Sequence, residues 1–546
     1  MQLDKKKIMA LFLAGVMTTS MIPFESLANN ENDFSKSKFE QNLNEKTTNN
    51  KPDAVSNSTN KDEKPQDGNE NPSTHEDNHT EKVNEKTITV DELFKGQKGT
   101  KEDPYKINDV DQLIKFAHSL SKTQDYKDKY VELSSDIELN NDWVPVGLGE
   151  YAFNGHFDGK NHKISGLKIG SKDNLHKDPS EKDKKIAFYG LFGVLGANSY
   201  IENLKIDVDF NLISDSALYV GALAGYANGS TINNIEVTGK LIGKTTHAKS
   251  NIFVGGVVSN GIRQKIVNSK SDIDIRVESD GGLAEGGGIM ALSNRGLIFN
   301  CYSKGNISAN ANRVTKEGST ALGGICGVNA GTISNCYSTN DIISDCYTGF
   351  IGAITGWVTG IGSTFQSYYD KDSVLITDNA TKNKNIIKPS VPIGWMVKGS
   401  GVSDEGMAYE GCISMDLKGM TKSEISSSLA NVLNSNLKKS RINLKKGSRS
   451  NDHWKKDENL AENIFEWTNS SGFPVFSNKK TSVVYDINTE NLIKQLQMNS
   501  KEGINEGDFY GRSKDKSLVV KVKFDKKGDI IDIMTLEGRV TKEEID

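Results

Sequence analysis

The sequence predicts an all-β protein whose main body is a parallel β-helix, a solenoid of stacked coils. Three observations predict it. First, one short pattern recurs about six times between Ile186 and Tyr369: a small-residue run, an aliphatic, an Asn and a short strand. Its clearest copies are Gly221-Ala222-Leu223-Ala224-Gly225 with Ile232-Asn233-Asn234-Ile235, and Gly323-Gly324-Ile325-Cys326-Gly327 with Ile333-Ser334-Asn335-Cys336. The Asn falls at Asn203, Asn234, Asn268, Asn300 and Asn335, spaced 31, 34, 32 and 35 residues apart. A period of this size marks a stack of similar units. Second, the segments after each Asn, such as Leu204-Lys205-Ile206-Asp207-Val208-Asp209-Phe210, alternate apolar and polar residues. That is the period of a half-buried strand. Third, Gly255-Gly256, Gly287-Gly288 and Gly323-Gly324 each precede an apolar run. Glycine suits tight corners, where φ is positive or backbones approach closely.

The elements follow in chain order. Residues 1–28 read as a signal peptide: Lys5-Lys6-Lys7, the mostly apolar Ile8 to Ile22, then Ser26-Leu27-Ala28 before the cut. The apolar stretch is too short to span a bilayer, and no later one is long enough. Residues 29–86 are Asn, Lys, Glu, Asp, Ser and Thr with few large apolar side chains. They cannot bury enough surface to offset chain entropy, so a disordered linker is expected. His75-Glu76-Asp77-Asn78-His79 matches a zinc-peptidase pattern but lies inside this polar stretch. The motif needs a packed helix behind it, so no zinc site is expected.

The β-helix with its caps is expected over 87–478. Val110, Leu113, Ile114 and Ala117 share one helical face, with Asn108 as N-cap. Thr421-Lys422-Ser423-Glu424 has capping-box spacing, and Ile425, Leu429, Val432, Leu433 and Leu437 follow at helical intervals. Both helices are read as end caps, since an open coil end is a sticky edge. Stacked about 4.8 Å apart, the five Asn amides form a hydrogen-bonded structural ladder. Residues 479–546 form a small C-terminal α+β module, with a short helix at Leu492, Ile493 and Leu496 and strands from Leu518 onward.

Between the first helix and the repeats lie Asp136-Ile137-Glu138-Leu139, Trp143-Val144-Pro145-Val146-Gly147 and the block Phe153 to Ile169. With the Gly-rich repeats, these resemble bacterial surface proteins with GLUG-motif repeats. The same arrangement is similar to the non-catalytic repeat region of secreted immunoglobulin-A metallopeptidases. Trp467 and Gly472-Phe473-Pro474-Val475 look like the closing segment of such domains. The resemblance spans roughly 87–478 and implies a right-handed parallel β-helix on a secreted or cell-surface protein. It implies no single activity, because this fold hosts both lyases and adhesins. Gly507 to Thr535 resembles the opening strands of bacterial FMN-binding domains. The flavin-attachment motif is absent and the chain is too short here to complete such a domain, so FMN is not expected.

The chemistry points to binding rather than catalysis. Asp207, Asp209, Asp272 and Asp274 point outward, with Thr238 and Lys240 on the coil between. Such a face can hold Ca²⁺ or serve acid/base work on a polysaccharide, yet most outward charges are simply solvated. No Arg stands beside these acids in the intervening coil. Tyr302 and Tyr337 share one column, with Tyr347, Trp357, Tyr368 and Tyr369 nearby; as outward aromatics they are candidates to bind a sugar or protein surface, and equally to stabilise the sheet by cross-strand packing. Cys301 and Cys336 sit at equivalent inward positions and are read as small buried hydrophobes. The net charge of −5 excludes a global basic field for nucleic acid. The expected function is a secreted or cell-surface, non-catalytic, adhesin-like binding module without a cofactor, its partner an extracellular glycan or host protein. The alternative is a polysaccharide lyase or hydrolase using the acidic face.

Overall fold

The computed structural model describes residues 89–540 apart from loop segments, the longest being 440–462 and 482–506. The expected signal peptide, the linker with its His75 to His79 motif, Tyr347 and the helix near Leu492 lie outside the described residues. Among the described residues, no helix is long and apolar enough to cross a membrane, which says nothing of spanning strands.

Strands pair in parallel with their equivalents one repeat later. Tyr200–Ser214 lies beside Thr231–Thr245, which lies beside Lys270–Ser279, with Leu204 opposite Ile235 and Lys240 opposite Asp274. A second stack of six short parallel strands runs from Ile186–Tyr189 through Ala217–Gly221, Ile252–Gly255, Leu283–Gly287 and Ser319–Gly323 to Thr348–Gly352. The fold is therefore a parallel β-solenoid, and the inner faces of these stacks enclose one continuous apolar core. Ile201, Phe210, Val237, Val254, Ile275 and Ile298 are among its fully enclosed members. Burying one such side chain contributes about 1.5–3 kcal/mol.

Two sequence features acquire their physical reason here. Asn203, Asn234, Asn268, Asn300 and Asn335 all turn the corner at φ between 49° and 56°. Asn is the non-glycine residue best suited to that left-handed region. The glycine pairs, by contrast, are required by close approach, since none of them has positive φ. A Cβ on Gly287 would collide with the Met290 carbonyl oxygen, and one on Gly288 with the Ser303 hydroxyl.

The first helix to matter is α1 (Val90–Leu93), closed by a Thr89/Glu92 capping box. It precedes α2 (Val110–Ser119). The N-cap of α2 is Asp109, whose side chain accepts from the Gln112 amide, and not Asn108 as expected. Two adjacent Asx residues compete for that position, and the Asn108 amide instead donates to the Gln112 side chain. Leu113, Phe116 and Ala117 enter the inner core, where Phe116 meets Phe153 and Phe157 at 5.9 and 6.0 Å. This helix closes the start of the core. At the other end, α3 (Lys422–Ser427) begins with the expected Thr421/Glu424 capping box and leads to α4 (Leu429–Lys439). Their apolar residues join a separate cluster on the side of the solenoid rather than the inner core. They are a lateral cover, which differs from the end cap expected. Residues 507–540 form a four-stranded antiparallel sheet.

Candidate binding face

The ladder of asparagines organises one side of the solenoid. Asn234 Nδ2 donates to Asn203 Oδ1, Asn300 Nδ2 to Asn268 Oδ1, and Asn335 Nδ2 to Asn300 Oδ1, each at 2.8 Å. The run is stepped at one place. Asn268 Nδ2 reaches Asn233 Oδ1 at 2.8 Å instead of Asn234. The first rung is tied to the previous coil, with Asn203 Nδ2 on Asp158 Oδ1 at 3.1 Å.

The later rungs are docked. An antiparallel hairpin, Ile464–Ser470 with Phe473–Thr481, lies on them. Asn268 treats the hairpin as a neighbouring strand: its Oδ1 accepts from the Phe465 amide at 3.0 Å and its Nδ2 donates to the Asn463 carbonyl at 3.0 Å. Asn300 donates to the Phe465 carbonyl at 2.9 Å and accepts from Trp467 Nε1 at 2.7 Å. The hairpin in turn is held by α4, whose Asn434 side chain bonds both the amide and the carbonyl of Trp467.

This hairpin corrects the reading of the aromatic column. Tyr302 and Tyr337 stack at 5.0 Å with their planes 6° apart, but only 4% and 1% of their surfaces are exposed. Trp467 packs on both, at 5.8 and 5.6 Å, and the Tyr337 hydroxyl donates to the Pro474 carbonyl. Burial pushes both phenols above their usual range. Trp357 is also buried, in a second small cluster beside Phe350. These three side chains point away from the inner core, as alternation requires, yet other parts of the chain cover them. None offers an open ring to a ligand.

What remains open is charged. Asp207 and Asp209 stand on one coil and Asp272 and Asp274 two coils later, with Thr238 and Lys240 on the coil between; the acids are half-buried or exposed, each with a partner. Asp207 accepts from the Thr238 hydroxyl at 2.6 Å, and Asp209 pairs with Lys240 at 3.2 Å. Asp272 pairs with Lys304 at 2.7 Å, and Asp274 accepts from the backbone and side-chain amides of Asn306. Lys270 reaches Glu236 at 2.9 Å. Among the described residues, no group of three or more His, Cys, Asp or Glu side chains converges as metal ligands would. The arrangement is a lattice of alternating charges across coils, with upstream Asn161, Asn203 and Asn234 along its edge. Cys301 and Cys336 are free, buried thiols inside the core.

Sequence reasoning missed one residue of interest. Glu285 occupies the register position of Phe253 and is completely buried. The signal that could have found it is the alignment of Leu283 to Gly287 with Ile252 to Gly255, which sets an acid in an otherwise apolar column.

The family model of the GLUG motif matches residues 318–343. A protein of Evansella cellulosilytica described as "Putative Gly-rich membrane protein" is 30% identical over 154 residues, which is 27% of this chain and 16% of that protein. The chain thus spans well under a fifth of the length of that relative. A crystal structure of a "putative immunoglobulin A1 protease from Bacteroides ovatus" aligns over 70% of this chain and 95% of its own, at 19% identity and a TM-score of 0.45. The matched motif runs from the strand Ser319–Gly323 across the Asn335 corner to the start of Asp341–Ser344. Residues 318–343 therefore carry a GLUG motif, set within the repeating coils of the parallel β-solenoid.

Proposed function

We propose that this chain is a secreted or cell-surface repeat protein acting as a non-catalytic, adhesin-like binding module. The observation that carries the reading is the open charge lattice of Lys205, Asp207, Asp209, Glu236, Lys240, Asp272 and Lys304, repeated coil after coil. A surface of this kind offers many weak, regularly spaced contacts to an extended ligand. Its acids are engaged by neighbouring lysines, hydroxyls and amides, which is the pattern of a recognition surface rather than of an acid/base pair. The charged start of the chain, its apolar run and Ser26-Leu27-Ala28 support export. An extracellular glycan or a host surface protein is the partner class that suits an exported repeat surface, and the net charge of −5 speaks against nucleic acid.

The test is an array of glycans and host surface proteins, probed with the protein, with the same glycans assayed for cleavage. The reading expects retention without turnover, lost when Lys205, Lys240 and Lys304 are replaced together by Ala. Depolymerisation that disappears in Asp207→Asn with Asp272→Asn would establish a polysaccharide-active enzyme instead. Binding that survives the lysine changes in a folded protein would remove this face from the proposal.

A further inference from the structure

The six-strand stack carries one column of side chains that point away from the inner core: Phe188, Tyr219, Phe253, Glu285, Ala321 and Phe350, in register from coil to coil. Leu218 and Val220, which alternate with Tyr219, face the inner core. The rings of Phe188, Tyr219 and Phe253 follow one another at 5.0 and 4.8 Å. Ala291, Leu292, Val328 and Trp357 pack with this column in a second small core. Glu285 breaks this column. It is 0% exposed, and neither carboxylate oxygen has a hydrogen-bond partner. Its neighbours in the stack are Phe253 and Ala321, and the titratable group that faces it is the Cys326 thiol. Burial holds that thiol neutral. A charge at Glu285 would have to be solvated by rings and methyl groups, and an unpaired buried charge is strongly unfavourable.

We propose that Glu285 makes the packing of this outer core respond to pH, tight while the carboxyl is neutral and loosened when it ionises. Burial alone holds the carboxyl well above its usual range, with no opposing charge to lower it. The folded chain therefore keeps this proton at pH values where the unfolded chain has released it. The associated stability is fully present below the ordinary carboxylate range and is lost as pH rises through the raised folded value. The looser state should concentrate in Ala217–Gly221, Ile252–Gly255, Leu283–Gly287 and Ser319–Gly323.

The test compares thermal midpoints of the full chain and of Glu285→Gln between pH 5 and pH 8. The proposal expects the unsubstituted protein to lose at least about 2 °C relative to Glu285→Gln across that range. Parallel profiles overturn it. Native-state hydrogen exchange on the unsubstituted protein decides the matter even if the variant does not fold. After correction for intrinsic rates, amides of Leu283–Gly287 must lose protection from pH 5 to pH 8 while those of Thr231–Thr245 do not. Equal behaviour of the two strands also overturns it.

Discussion

The same columns of the solenoid are charged on its early coils and aromatic on its later ones. Two positions after each ladder Asn stand Lys205, Glu236 and Lys270, then Tyr302 and Tyr337, and Tyr368 continues the register two positions after Gln366, which turns the next corner at φ 48°. One position before the ladder Asn stand Glu202 and Asn233, then Val267 and Phe299. The backbone corner is the same in both halves, and so is the Asn. The side chains beside it decide the outcome. Apolar neighbours need a cover, and the hairpin with α3 and α4 supplies one. Charged neighbours are stable in water and leave Asn203 and Asn234 only half-buried. The ladder thus has one structural role and two environments, covered in its later half and half-buried in its earlier half.

The largest expected effect comes from giving the covered half the chemistry of the open half. Phe299→Glu places the residue type of Glu202 beneath the hairpin. It should cost more than about 3 kcal/mol in chemical denaturation, because it removes a buried ring and buries an unpaired charge. Removing the lid from above is next. Trp467→Ala should cost about 3–5 kcal/mol, against no more than about 0.5 for Val144→Ala at a 49% exposed position. A Trp467 variant as stable as the Val144 one would mean that the hairpin contributes nothing to the fold.

The rungs themselves sharpen the contrast. Asn300→Ala strands Trp467 Nε1, the Phe465 carbonyl and Asn335 Nδ2 in a buried place and should cost about 1–3 kcal/mol. Asn203→Ala leaves Asn234 with Asn161 and with water, and should cost distinctly less. Both corners have nearly the same φ, 55° and 53°, so the left-handed penalty on Ala is common to the pair and cancels. Smallest of all is the charge lattice. Lys304→Ala removes the exposed pair with Asp272 and should change stability by less than about 1 kcal/mol, with the difference shrinking in high salt.

The sequence revealed what repeats and hid what docks. Asn203 to Asn335 could be recognised because one backbone corner, turned again and again, selects one residue type. The apolar alternation after each Asn then settled which side chains face inward. For Tyr302, Tyr337 and Trp357 the sequence leaves both a binding and a packing role open, because alternation says only that a residue leaves the inner core. It does not say what lies beyond it. The cover comes from far along the chain: the Asn300 to Phe465 bond joins residues 165 apart, and the Asn268 to Asn463 bond residues 195 apart. No local period encodes such a meeting. The same limit applies to α3 and α4, whose apolar stripe was legible while its destination was not. Glu285 was overlooked for a different reason, since a single acid among glycines in Leu283 to Gly287 looks like a solvated turn until register places it beside Phe253.

The central claim is that one Asn ladder is docked in its later half and open in its earlier half. A pair of double-mutant cycles tests it most directly, combining Trp467→Phe with Asn300→Ala and, separately, with Asn203→Ala. The Trp467 to Asn300 bond of 2.7 Å predicts a coupling of about 0.5–3 kcal/mol for the first pair, and additivity within about 0.5 kcal/mol for the second. Additivity in both cycles, or equal coupling in both, would contradict the division of the ladder into two environments.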